Sequence, residues 1–516
     1  MAKKLNILMV CSEVTPYATT GGLGDVCGAL PTALAKRGHQ VDVIMPFYQG
    51  TKLGGAVTEL LGEPLAIHMD GNLVEGRLLA AKVDRPWRLL LVENAGFFGR
   101  ESLYVDPDTG RDYPDNAARF AYFSKVVIEW MRRGAVKYDI VHAHDWQTAL
   151  VMSYLRKWGD QSEFLAAPAT LFTVHNAGFE GLFPPLEGRW FDLPSESFNM
   201  NELEFHGGWG LTKGGLVHAD WDSTVSEHYA KEIQTEEYGF RLAGVFAARA
   251  ERLTGIANGI DTEVWDPASD GALAQHYSTA RLDGKKKCKT ALLKEFGLST
   301  EWVKKPVLGF IGRLTEQKGL DLIMPVAEDL IAHGFMMVFL GDSQERDTAE
   351  RKSYKTQLLE LAARFPEFVG VRIGFDDALA HRIQAGADML LVPSKYEPCG
   401  LVQMCAQRYG TIPVVRAVGG LDDTVKGWSK GARGANGFKF TNYEPEALLK
   451  TLADAADLFE DQKRWRKLID AAMEIDNSWD TRVAKYERLF QKIIKAKNEP
   501  PQPAQPEPMP ESPAEG

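Results

Sequence analysis

The sequence predicts an α/β protein of two doubly wound, Rossmann-like domains that face each other across a cleft. Three observations predict it. Short, continuously apolar runs alternate with amphipathic helical patterns. The alternation pauses near residue 255 and restarts near residue 307. The chain has 516 residues, more than one ordinary core spans.

The apolar runs of the first half are "NILMV" (6–10), "VDVIM" (41–45), "RLLLVE" (88–93), "DIVHAHD" (139–145), "TLFTVHN" (170–176) and "DSTVS" (222–226). Helical patterns at 25–38 and 116–134 separate several of them. Strands without polar alternation belong to parallel sheets covered on both faces. The second half repeats this with "VLGFIGR" (307–313), a helix from about Gly319, then "FMMVFLGD" (335–342), "VGVRIGF" (369–375), "ADMLLVPS" (387–394) and "IPVVRA" (412–417). "GIANGIDTEVWDPASD" (255–270) is rich in Gly, Asn, Asp and Pro and suits a connection between domains. The expected division is 1–260, 261–476, a C-terminal helix at 477–497 bracing the two, and a disordered Pro/Glu-rich tail at 498–516.

Composition narrows the function. Apolar residues make up 45% and charged residues 25%, and the formal net charge is −11. That balance disfavours nucleic acid and anionic membranes as partners. Five cysteines without a CxxC spacing suggest neither a disulfide framework nor a Cys-rich zinc site, and fit a cytoplasmic protein. The apolar run at the N-terminus is short, interrupted by Asn6 and soon followed by Glu13, so it reads as a first strand and not as a signal peptide.

Four stretches carry candidate chemistry. "YATTGGLGDV" (17–26) is a strand–glycine turn–helix junction, where amide N–H groups approach an anion without a Cβ in the way. It does not match GxGxxG, and Asp42 lies inside its strand, not at the end where a ribose-binding acid belongs. A nicotinamide-dependent oxidoreductase is therefore disfavoured. In "GRLTEQKG" (312–319), Arg313 and Lys318 suit a diphosphate, or are a solvated basic pair. In "PSKYEPCGL" (393–401), Glu397 suits sugar hydroxyls, or caps a helix. His175 and Asn176 end one strand; His142, His144, Asp145 and Trp146 end another. The paired histidines raise a metal site, yet at that spacing they share one face of a buried strand and serve equally as hydrogen-bonded scaffold. "GGLDDTV" (419–425) weakly echoes "GGLGDV" (21–26).

Taken in order, "CSEVTPYATTGGLGDV", "HAHDWQTAL", "TVHNAGFEG", "GIANGIDTEVWDP", "GFIGRLTEQKGLD", "PSKYEPCGLVQM" and "AVGGLDDTV" resemble the bacterial glycogen synthases and plant starch synthases, retaining glucosyltransferases of the GT-B type. The resemblance runs from Leu5 to about Lys495. It implies transfer of glucose from a nucleotide-sugar, ADP-glucose in the first place, to the non-reducing end of an α-1,4-glucan, with no cofactor and no metal. By position, it implies that Thr19, Gly21, Gly22 and Asp25 belong to the donor loop, and that His175 faces the glucosyl group with Asp145, Asn176 and Asn258 nearby. Arg313 and Lys318 would hold the diphosphate and Glu397 the donor side. Cys399, Gly400 and Leu401 would form the adjacent loop, and Gly419, Gly420 and Leu421 the second glycine loop.

Two departures stand out. Such enzymes carry lysine two residues before the paired glycines, where this chain has Thr19. Many related GT-B enzymes carry a second Glu eight residues after the first, where this chain has Cys405. The missing cation implies weaker donor binding or slower transfer. It also leaves a second reading: a poorly active homologue that binds glucan or nucleotide-sugar as a regulator.

Overall fold

The computed structural model describes residues 3–342, 347–348 and 351–499. The first sheet contains seven parallel strands in the spatial order Arg88–Glu93, Gln40–Pro46, Asn6–Val10, Ile140–His144, Ala169–Val174, Trp221–Thr224, Leu253–Gly255. The second contains six, all parallel: Val369–Ile373, Met336–Gly341, Val307–Ile311, Met389–Val392, Ile412–Arg416, Phe438–Phe440. Both sheets grow outward from their first strand and then reverse on its other side. At such a switch point neighbouring loops diverge and a crevice opens at the carboxyl ends of the strands. The two switch points lie between Asn6–Val10 and Ile140–His144, and between Val307–Ile311 and Met389–Val392.

The first sheet also has an antiparallel edge, which the apolar runs of the sequence do not predict. Asn72–Ala81 pairs antiparallel with Arg88–Glu93, and Thr58–Leu60 and Leu65–Met69 pair with it. Leu65–Met69 alternates buried and exposed residues, the signature of a strand wet on one face.

The helices cover the sheets where the amphipathic patterns lie: Gly22–Lys36 and Asn116–Arg132 on the first, Leu320–Ala332 on the second. The strand before Arg313 ends at Ile311, so Arg313 stands on the loop beyond it. The last helix, Trp479–Asn498, presents Trp479, Val483, Tyr486, Leu489, Phe490 and Ile493 as one apolar stripe. That stripe is buried in the core of the first lobe, although it is the last folded part of the chain. The chain therefore crosses between the lobes twice, side by side. Ile260 N–H donates to the Asn477 carbonyl (2.8 Å), and a Cβ on Gly259 would stand 2.7 Å from the Trp479 nitrogen. The Pro/Glu tail expected to be disordered lies, from residue 500, outside the described residues. Among the described residues no helix is long and apolar enough to cross a membrane.

Candidate active site

The glycines of the first loop divide into two kinds. A Cβ on Gly24 would stand 2.3 Å from Thr19 Oγ1, and one on Gly28 would stand 2.4 Å from the Thr15 carbonyl oxygen. These two let the helix pack against its own preceding loop. A Cβ on Gly21 or Gly22 would meet no atom of the described residues within 4 Å. Packing does not require glycine there; both are exposed. The Thr19 hydroxyl donates to the Gly21 carbonyl (3.2 Å), so it is used within the loop. Asp25 accepts from Thr15 Oγ1 (3.2 Å). Surrounding protein, then the charges of Glu13 and of Asp377 on the other lobe, raise the Asp25 pKa. The Asp377 influence is a repulsion between like charges on the two lobes.

In the sequence Glu13 served only to show that the first apolar run is soon over. It is buried, and its carboxylate accepts from Thr20 N–H (2.5 Å) and Thr20 Oγ1 (2.7 Å). It stands on the loop between the strand Asn6–Val10 and the glycine turn, at the carboxyl edge of the sheet.

His175 and Asp145 form the floor of this lobe's crevice. Asp145 is buried with φ 56°, a left-handed conformation rare outside glycine and frequent at functional sites. Its Oδ1 accepts from His175 N–H (2.7 Å). Burial, opposed by that bond and reinforced by Glu13, pushes its pKa up to about 7. His175 Nε2 lies 3.0 Å from His144 Nδ1, and burial lowers the His175 pKa to about 3, so the ring is neutral at working pH. Asn176 Oδ1 accepts from Gly178 N–H (2.9 Å) and shapes the turn after the strand.

The second lobe supplies the cations. Arg313 is exposed and donates to Gln317 Oε1 (2.9 Å). Lys318 ends a short 3-10 turn. Gly319 follows at φ 81°, and a Cβ there would stand 2.2 Å from the Pro393 carbonyl oxygen. This close approach brings Lys318 Nζ to 2.6 Å from Glu397 Oε2, which also accepts from Ser394 Oγ (3.0 Å). Cys399, Gly400 and Leu401 follow as a turn whose Cys399 and Gly400 carbonyls accept from Gln403 Nε2. Burial pushes the Cys399 thiol up to about 12, against the Asn258 N–H directed at it. Asn258 is buried on the first crossover, with its side-chain Oδ1 unpartnered.

Gly419, Gly420 and Leu421 differ from the first glycine loop. All three are buried. A Cβ on Gly419 would stand 1.9 Å from the Glu397 carbonyl oxygen, and one on Gly420 would stand 2.2 Å from that of Cys399. Their glycines support the Glu397–Cys399 backbone from behind.

Among the described residues, one group has three metal-ligating side chains together: Cys11, Cys27 and His144, with ligand atoms within 4.8 Å of one another. Burial pushes the Cys27 thiol well up, away from the thiolate a metal needs. His142 packs its ring on that of His144 (centroids 4.1 Å apart) but bonds Thr173 Oγ1 (2.6 Å), which bonds Ser223 Oγ (2.6 Å). Asp42 accepts two bonds from Arg88 and one from Tyr138 Oη, at the opposite end of the sheet from the crevice. A cavity of about 340 Å³ beside Lys125 and one of about 520 Å³ lined by Asp42, Arg88 and Tyr138 touch none of the residues at the carboxyl edges of the two sheets.

With this geometry in hand, comparison with known proteins is direct. Residues 6–248 match the family model described as starch synthase catalytic domain, and residues 298–472 that of glycosyl transferases group 1. The chain is 40% identical over 496 residues to the glycogen synthase of Koribacter versatilis, covering 95% of this chain and 98% of that protein. It is 43% identical over 494 residues to the glycogen synthase of an Anaeromyxobacter species, covering 95% and 99%. The catalytic domain of starch synthase IV from Arabidopsis thaliana, bound to ADP and acarbose, superposes with a TM-score of 0.87 at 30% identity, over 96% of this chain and 100% of that one.

Proposed function

This chain belongs to the family of bacterial glycogen synthases and starch synthases, and from that membership we propose how its own residues carry out glucosyl transfer. The enzyme is a glucosyltransferase. Its donor is ADP-glucose and its acceptor the non-reducing end of an α-1,4-glucan; the ADP held by the Arabidopsis relative supports that donor.

One observation carries the residue assignment: Arg313, Lys318 and Glu397 gather at the carboxyl edge of the second sheet, at its switch point. The pyrophosphate lies between Arg313 and Lys318, with the open Gly21–Gly22 turn facing it from the first lobe. As the bond from C1 to the phosphate oxygen breaks, negative charge grows on ADP, and the guanidinium and ammonium stabilise it. C1 becomes oxocarbenium-like. His175, kept neutral by burial, places no positive charge beside it. Asp145 and Glu13 put negative potential on that side of the cleft. The acceptor O4 attacks from the face the phosphate leaves, and its proton passes to the departing β-phosphate oxygen. One C–O bond forms, one breaks, and configuration at C1 is retained.

The test is incubation with labelled ADP-glucose and glycogen. Label in the polymer, released by an α-1,4-specific glucosidase, is the expected result, with Arg313→Ala slower by ~10²–10³-fold. Nucleotide binding without turnover would replace this reading with the regulatory one. UDP-glucose as the faster donor would overturn the donor assignment.

A further inference from the structure

We infer that the helices Glu227–Glu232 of the first lobe and Gly419–Thr424 of the second form the pivot of the cleft, with Glu232 and Asp423 as positioning residues for transfer. The two helices cap each other. Asp423 Oδ2 accepts from Ser226 Oγ (2.6 Å), Glu227 N–H (2.7 Å) and His228 N–H (3.2 Å), which are the first donors of the first-lobe helix. Glu232 returns the contact, its two oxygens 3.0 and 3.1 Å from Gly419 N–H, the first donor of the second-lobe helix. A carboxylate at each helix start meets both unpaired amides and the positive dipole end. His228 lies between the lobes as well, 3.2 Å from Glu232 and 3.4 Å from Asp422. Val225, Ile260, Cys399, Met404 and Cys405 form an apolar cluster under the junction.

Each helix is tied to one half of the active site. On the first lobe, the helix's Tyr229 hydroxyl accepts from Ala177 N–H (3.1 Å) on one side of His175, and the strand that leads into the helix holds the other side, Thr224 Oγ1 donating to the Val174 carbonyl (2.8 Å). On the second, Gly420 N–H donates to the carbonyls of Glu397 (3.1 Å) and Pro398 (3.2 Å), at a separation no Cβ would permit. The path from His175 to Glu397 therefore runs through the reciprocal caps. Arg313, Lys318 and Glu397 all sit on the second lobe and do not depend on the caps to hold nucleotide. Transfer requires both lobes in register, and an error near 1 Å costs up to ~10²-fold.

This inference rests on the transfer reading above. The experiment compares Glu232→Ala, Glu232→Gln, Asp423→Ala and Asp423→Asn with the parent enzyme. Measured are kcat and KM for ADP-glucose, the Kd of ADP, and the thermal midpoint. The alanine variants are expected to lose about 10-fold or more in kcat with ADP affinity changed less than about twofold. Glu232→Gln and Asp423→Asn keep an acceptor oxygen and recover most of the rate. Unchanged kcat, or ADP affinity falling in step with kcat, would overturn the pivot. Should the parent enzyme itself transfer no glucose, the function fails and solution scattering decides the pivot separately. A scattering profile of Glu232→Ala that departs from the parent's with and without ADP alike supports it; profiles equal to the parent's overturn it.

Discussion

Lys318 Nζ lies 2.6 Å from Glu397 Oε2, so a cation assigned to the leaving phosphate is already paired with the carboxylate assigned to the sugar side. The pair shares a side of the cleft with Arg313, whose guanidinium, among the described residues, reaches Gln317 and no carboxylate. A pyrophosphate arriving there competes with Glu397 for the ammonium. Glu397→Gln removes the competitor. The variant should bind ADP about 3- to 10-fold tighter, because one negative charge has left the phosphate's surroundings, while kcat falls by ~10²-fold. Calorimetry for ADP and initial rates for transfer check both halves; weaker ADP binding would contradict the competition.

Thr19 spends its hydroxyl on the Gly21 carbonyl and offers no charge to the cleft. Thr19→Lys restores a cation beside the open turn and should raise kcat/KM for ADP-glucose by about 10-fold. An unchanged or lower value would show that this chain stabilises the phosphate without a first-lobe cation.

Gly22 and Gly28 should separate ligand from fold. Gly28→Ala drives a methyl to 2.4 Å from the Thr15 carbonyl and should destabilise by about 1–3 kcal/mol, read as a lower thermal midpoint. Gly22→Ala meets no atom of the described residues and should leave the midpoint unmoved while weakening ADP-glucose binding. A fall in stability for Gly22→Ala would contradict the division.

Asp145, with its carboxyl raised to about 7 by burial, titrates within the working range. Its ionised form holds the His175 amide and favours positive charge at C1. The kcat/KM profile should therefore rise through an inflection near pH 7, and Asp145→Asn should abolish the inflection along with most of the rate. An identical inflection in the variant would assign it elsewhere.

His142 is fully buried, and burial followed by His175 lowers its pKa to about 3. The native chain keeps it neutral, whereas the unfolded chain protonates it near pH 6.5. Its contribution to stability is complete above about pH 6.5 and is lost as pH falls toward 3. The thermal midpoint of His142→Asn should thus fall less between pH 7 and pH 5 than the parent's. Parallel declines would remove His142 from the acid sensitivity.

Much of the molecule was legible because its signals are local. Continuous apolar strands followed at once by glycine, arginine or glutamate turns locate the carboxyl edges of both sheets, and Arg313, Lys318 and Glu397 stand there. Glu13 was not legible, because its role depends on Thr20 folding back seven residues onto a buried carboxylate. The likeness of 21–26 to 419–425 does not extend to what their glycines meet. Identical glycines are exposed in one lobe and meet the backbone of Glu397–Cys399 in the other. The antiparallel edge at 58–81 was missed for want of an apolar run.

By itself the sequence determined two parallel-sheet lobes, their helices and the residues at the strand ends, since hydrophobic period and turn chemistry act over a few residues. Tertiary structure alone decided which of those ends meet. Asp423 caps a helix that begins 196 residues earlier in the chain, and Lys318 finds Glu397 across 79 residues. Such pairings depend on sheet order and on how closely two backbones approach. No local pattern encodes a distance between elements that only packing brings together.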